Sequence, residues 1–137
     1  MAPTDRFVSE TTFRVRYAET DAMGIVHHRN YLMYFEEGRS EYARKRGHPY
    51  SDFERDGFYL MVSEAQLRYS QPAIFEQEIT VRSWVEVLKS RRITFGYEVV
   101  DAETDTVLVT GTTDHICVTK AGKVARIPDT WRTWVTD

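Results

Sequence analysis

Cysteine is almost missing from this 137-residue chain: Cys117 stands alone. A single cysteine excludes an internal disulfide, and its neighbours Ile116 and Val118 mark it as a buried small hydrophobe rather than a reactive thiol. Long apolar runs are missing too. No stretch approaches the ~18 residues of a membrane-spanning helix, and the opening MAPTDRFVSE has neither the basic segment nor the apolar run of a secretory leader. The expected location is therefore a reducing cytoplasm, without membrane insertion. Positive charge is not in excess: 18 Lys and Arg stand against 21 Asp and Glu, a formal charge of −3, which offers nucleic acid no general attraction. Repeats, low-complexity tracts and linkers are also absent. Residues 1–137 thus read as one domain, long enough to bury roughly two-thirds of its unfolded surface.

What the chain does have is aromatic residues in alternating patterns. Aromatics make up 13%, with eight Tyr and seven Phe, which suits pleated, half-buried surfaces. In TTFRVRY, Thr11 to Tyr17, Phe13, Val15 and Tyr17 share one face, as in a strand. From Asn30 to Arg46 the period changes: Tyr31, Tyr34, Phe35, Gly38 and Tyr42 recur at spacings of three and four, which predicts an amphipathic helix. Asn30 is its expected N-cap, Gly47 and Pro49 its stop, and Glu36, Glu37, Arg39, Arg44 and Lys45 its charged outer face. Residues 49–57 read as a connection. Period two then returns in four expected strands, Phe58 to Tyr69, Glu78 to Leu88, Arg91 to Asp101 and Thr106 to Thr119. Ile79, Val81, Val85 and Val87 share a face in the second, and Ile93, Phe95, Tyr97 and Val99 in the third. Short separators imply an antiparallel meander. The sum is an α+β architecture with one long helix covering about five strands. Trp84, on the sheet's other face, suggests packing against a partner subunit.

Chemistry should concentrate between Tyr17 and Gly47. Asp21, His27, His28 and Asn30 gather there beside a helix start, whose free N–H groups and positive dipole end can polarise a carbonyl or hold an oxyanion. A nearby carboxylate can then attack that carbonyl or activate water. The string Tyr17, Glu19, Thr20, Asp21, Gly24, Ile25, Val26, His27, His28, Asn30, Tyr31, Leu32, Phe35, Glu36 and Arg39 resembles the 4-hydroxybenzoyl-CoA thioesterase family, in particular its short-chain and tol-pal-associated acyl-CoA thioesterase branch. The similarity continues to Tyr69 with Pro72 and to Arg126, Ile127 and Pro128. Two positions depart from the branch pattern: Glu19 replaces the first acid of D-T-D, and His27 replaces a tyrosine.

This resemblance implies a hotdog fold, in which a central helix is wrapped by an antiparallel sheet, and a homo-oligomer, either a dimer or a dimer of dimers (homotetramer), with active sites at the dimer interface. It further implies hydrolysis of an acyl-CoA thioester. Asp21 would be nucleophile or general base, and the His28 amide would hold the thioester oxygen; whether His28 also acts through its side chain, orienting water or the leaving thiolate, stays open. Gly24, His27, Asn30 and Tyr31 are the expected substrate-binding residues. Lys89, Ser90, Arg91 and Arg92, at a hairpin tip, and Arg126 are candidates for the CoA phosphates, against the plainer reading of a solvated turn. No cofactor is expected, and Asp21, His27 and His28 lack the further ligand that a metal site would need. His115 reads as a structural strand residue and Glu64 as a solvent-facing one. Two alternatives stay open: a thioesterase acting on acyl groups carried by acyl-carrier protein, and a noncatalytic acyl-ligand binding module.

Overall fold

The computed structural model describes residues 1–135. Its five strands are β1 (Ser9–Arg14), β2 (Phe58–Tyr69), β3 (Glu78–Leu88), β4 (Arg92–Asp101) and β5 (Val107–Thr119). Three helices accompany them: α1 (Asn30–Lys45), α2 (Tyr50–Arg55) and α3 (Asp129–Arg132). Single 3₁₀ turns lie at Tyr17–Glu19 and Thr133–Val135. The strands form one antiparallel sheet in the order β1-β3-β4-β5-β2.

The alternating faces settle the core. Ile79, Val81 and Val85 are buried on β3, and Ile93, Phe95, Tyr97 and Val99 on β4. Val87 breaks the expected series. The β3–β4 register shifts between Val85 and Val87, and this irregularity turns Val87 outward to 41% exposure. Onto this face α1 lays Tyr31, Tyr34, Phe35, Gly38 and Tyr42, all buried as their spacing requires. Burying each aromatic contributes about 1.5–3 kcal/mol. Phe35 stacks on Tyr97 with centroids 4.2 Å apart. Gly38 lets the helix sink onto β3, because a Cβ there would sit 2.8 Å from Val81 Cγ1.

Several expectations are corrected. The first strand begins and ends earlier, at Ser9 and Arg14, and Tyr17 lies in the 3₁₀ turn, 77% exposed. Arg91 and Thr106 fall just outside β4 and β5. The meander holds only for β3, β4 and β5. β2 crosses over to pair with β5, because residues 70–77 form a long, proline-bearing connection rather than a hairpin. Residues 50–55, expected as connection, form α2, whose Phe53 is buried against Phe58 and Trp131. Asn30 is the first helical residue and Arg29 precedes it as cap, with no side-chain capping bond. Arg39 is not on the outer face of α1: it is half-buried and points toward Tyr97. Trp84 is covered within the chain itself. It is 6% exposed, lies against Gly96 and donates from its indole N–H to Glu86 at 2.7 Å.

β2 is left as an edge strand with one side unpaired among the described residues. It exposes Tyr59, Met61, Val62 and Tyr69. No helix among the described residues is long and apolar enough to cross a membrane.

Candidate active site

The loop between β1 and α1 is held by Glu19. Its carboxylate is 6% exposed and accepts from the Arg16 amide at 3.0 Å, from Arg16 Nε at 2.5 Å and from the Tyr34 hydroxyl at 2.8 Å. Burial alone would lift this carboxyl. The Arg16 amide and guanidinium and the Tyr34 hydroxyl outweigh burial and hold it below the ordinary glutamate value. The Glu19 carbonyl binds the far end of the loop, accepting from the His27 amide at 2.9 Å and from Asn30 Nδ2 at 2.8 Å. The longer arm of glutamate at this position thus has a use, since it reaches Tyr34 on the second turn of α1.

Pinned in this way, the loop turns tightly at Asp21. One carboxylate oxygen accepts from the Met23 amide at 2.8 Å, the Asp21 amide donates to the Ile25 carbonyl at 2.8 Å, and its carbonyl accepts from Gly24 at 2.9 Å. Gly24 has φ +78°, a conformation that suits glycine. Ile25 and Val26 then make bridges to Ile74 and Thr20, and the Val26 amide donates to the Ala73 carbonyl at 2.9 Å. The turn leaves Asp21 half-buried on a cavity of about 360 Å³.

Asp21, His28 and Tyr31 line this cavity, with Met23, Ile25 and Val26 beside them and Tyr69, Ser70, Gln71 and Pro72 as the opposite wall. The His28 amide takes part in no hydrogen bond among the described residues and sits at the entry to α1. Its carbonyl accepts from the Tyr69 hydroxyl at 3.2 Å, a strut between the end of β2 and the helix start. Tyr31 is 2% exposed; its ring meets Tyr69 edge-on and its hydroxyl accepts from the Ala73 amide at 3.1 Å. Burial raises the Tyr31 hydroxyl above the ordinary tyrosine value.

Not every expected residue joins this cavity. His27 does not line it. Its Nδ1 accepts from the Arg29 amide at 3.2 Å and its ring stacks on His28 with centroids 4.3 Å apart, which assigns the proton to Nε2 in the neutral ring. Asn30 is committed to the Glu19 carbonyl. Gly24 shapes the turn without lining the cavity. Lys89, Ser90, Arg91 and Arg92 are all exposed at the β3–β4 tip. Arg126 comes close to them, since the Ile127 amide donates to the Ser90 carbonyl at 2.8 Å, yet its guanidinium is paired with Asp129 at 2.8 Å. None of these five residues lines the Asp21 cavity. His115 lies away from the Asp21 cavity: it is 1% exposed, bonded to Thr113 at 2.8 Å, and held down to about 4 by burial and the nearby Arg39 charge. Glu64 is exposed on β2.

Ser70 and Gln71 went unforeseen, because no local pattern tells which later segment closes a loop. A carboxylate and a free helix-start amide on one part-apolar cavity can together engage an acyl carbonyl. Solved structures share this architecture. The hypothetical protein TT1821 of Thermus thermophilus is 38% identical, with a TM-score of 0.85 over 92% of this chain and 96% of that one. The DHNA-CoA thioesterase of Staphylococcus aureus is 32% identical, with a TM-score of 0.85 over 93% and 85%. By sequence alone, the acyl-CoA thioester hydrolase YbgC of Shigella flexneri is 25% identical over 90 residues, 66% of this chain and 67% of that one. With the profile of the thioesterase-like superfamily matching residues 15–135, a span that takes in the Asp21 loop, α1 and all of β2 to β5, the chain belongs to that hotdog-fold superfamily.

Proposed function

We propose that this protein is an acyl-CoA thioesterase that hydrolyses the thioester to free acid and CoA, with Asp21 as the reacting carboxylate. One observation carries the reading: Asp21 and His28 line the same cavity at the start of α1. A thioester carbonyl seated there lies over the free His28 amide, which accepts no proton and can only donate to the oxygen as negative charge develops on it. The Asp21 carboxylate then either attacks the carbonyl carbon, giving a mixed anhydride that water cleaves, or takes a proton from the attacking water. In both routes the carbon–sulfur bond breaks and CoA leaves as a thiolate, which needs little acid assistance. Tyr31, Tyr69 and Pro72 supply the apolar wall for the acyl group.

The rest of the reading follows the family. The chain acts as a single hotdog domain built around α1, in a homo-oligomer joined along the β2 edge, in the cytoplasm. CoA phosphates lie against Lys89, Ser90, Arg91, Arg92 and Arg126 at the hairpin tip, where three guanidiniums and an ammonium gather. Substrate binding also draws on Gly24, His27 and Asn30 through the loop they shape. The test is a thiol-release assay across short, long and aromatic acyl-CoAs. Asp21→Asn should lower turnover roughly 10²-fold or more while CoA binding persists. Turnover equal to wild type removes Asp21 from the mechanism.

A further inference from the structure

A second cavity, of about 320 Å³, opens beneath the middle of α1, between that helix, α2 and the start of β2. Arg39, Tyr50, Phe53, Tyr59 and Leu60 line it, with Glu36 and Glu54 at its exposed rim. It shares no lining residue with the Asp21 cavity. We propose that this cavity is a carboxylate-binding subsite, in which the Arg39 guanidinium and the Tyr50 hydroxyl receive an anionic oxygen of the ligand.

The argument is a balance of donors and acceptors. Arg39 is half-buried, yet among the described residues no carboxylate pairs with it; its one hydrogen bond is a long 3.5 Å contact to the Tyr97 hydroxyl. An arginine can only donate, so the Tyr97 proton must turn away from it, to Thr113 Oγ1 at 2.6 Å. The Thr113 proton then goes to His115 Nε2 at 2.8 Å, and His115 is neutral at ordinary pH. The relay therefore orients the guanidinium without neutralising it. The Tyr50 hydroxyl is also buried and without a hydrogen-bond partner among the described residues. Among the described residues the guanidinium thus has no carboxylate in hydrogen-bond contact, Glu36 acting on it only as a neighbouring charge, and the buried Tyr50 hydroxyl makes no hydrogen bond; a buried unmet donor costs about 1–3 kcal/mol. The planar fork of arginine matches a carboxylate. The charges of Glu36 and Glu54 at the rim count against a multiply charged phosphate and leave the singly charged carboxylate as the fitting acceptor.

The place of this subsite in the reaction rests on the thioesterase reading. Tyr59 stands near the start of β2 and Tyr69 at its end. Antiparallel pairing of two copies along this free edge sets the Tyr59 end of one beside the Tyr69 end of the other. In this proposal the Arg39 cavity of one subunit is set toward the Asp21 cavity of its partner, where it would receive a carboxylate at the far end of the acyl group. The favoured substrates are accordingly CoA monothioesters of dicarboxylic acids.

The test uses the full chain and glutarate as probe, with uncharged glutaramide as control, by titration calorimetry. Wild type and Asp21→Asn should bind glutarate and not glutaramide, with a loss of about tenfold or more in Arg39→Gln. Tyr50→Phe keeps the charge, removes only the hydroxyl and should weaken binding by a smaller factor, so it decides the matter if Arg39→Gln fails to fold. In parallel, the preference in kcat/KM for glutaryl-CoA over valeryl-CoA should fall by about tenfold in Arg39→Gln. No glutarate binding by wild type, or equal binding by wild type and both variants, overturns the subsite. Glutarate binding that depends on Arg39, with no hydrolysis of any thioester, leaves the subsite standing and overturns the thioesterase reading instead.

Discussion

Removing the Glu19 carboxylate tests whether this buried acid holds the Asp21 loop in place. In Glu19→Ala the Tyr34 hydroxyl, on a tyrosine 1% exposed, loses the acceptor it reaches at 2.8 Å. That orphaned donor costs about 1–3 kcal/mol, and the lost charge-assisted bonds from Arg16 add to it, for a total of roughly 3 kcal/mol. For a chain of this size the melting temperature should fall by about 10 °C. Glu19→Gln keeps an acceptor for Tyr34 and removes only the charge, so it should cost roughly half as much. Urea titration followed by tyrosine and tryptophan fluorescence measures both. The effect should also depend on pH. Because the folded carboxyl sits below its unfolded value, its contribution is present above the unfolded pKa and is lost as pH falls through the folded one. Wild type should therefore lose its advantage over Glu19→Gln on acidification below the ordinary glutamate range. Since the Glu19 backbone also anchors His27 and Asn30, turnover in Glu19→Ala should fall about tenfold through misplacement of Asp21. A Glu19→Ala protein as stable as wild type refutes the reasoning.

Three further outcomes follow from other parts of the molecule. His115, buried and held down to about 4, destabilises the fold as pH drops from its unfolded value near 6.5 toward 4, by about 3 kcal/mol in all. His115→Gln should flatten that slope in acid unfolding curves, and an unchanged slope would assign the loss to other groups. Gly111→Ala brings a Cβ to 2.3 Å from the Gln66 carbonyl and 2.8 Å from the Phe35 ring, so it should cost about 2–3 kcal/mol in thermal melts. Tyr69→Phe removes the strut to the His28 carbonyl at 3.2 Å; it should cost about 1 kcal/mol and lower kcat more than it raises KM.

The legible parts of this fold are those in which one periodicity runs undisturbed over a long segment. The α1 face of Tyr31, Tyr34, Phe35, Gly38 and Tyr42 could be read from spacing alone, as could the Ile93 to Val99 face of β4. Spacing could not show strand order, because β2 looks the same whether it pairs with β3 or with β5, and only the length of the 70–77 connection separates the two. The short α2 escaped notice because six residues hold too little periodicity to exceed the turn signal of Pro49 and Gly57. Arg39 was misassigned for a similar reason: a charged residue beside a buried stripe reads as solvated, and only Tyr97, contributed by β4, gives it an inward partner. At the candidate site, Asp21 and His28 stand in one local string that the sequence displays. Their opposite wall was not, since it comes from residues 69–72.

That distant wall has a consequence for synthesis. The Val26 amide and the Tyr31 hydroxyl both meet Ala73, and Ile25 bridges to Ile74. A nascent chain halted before Ala73 owns the acid, the helix and the Glu19 contacts, but lacks the bonds that tie Val26, Tyr31 and Ile25 to residues 73 and 74. The cavity wall is thus complete only after more than half of the polypeptide has been made.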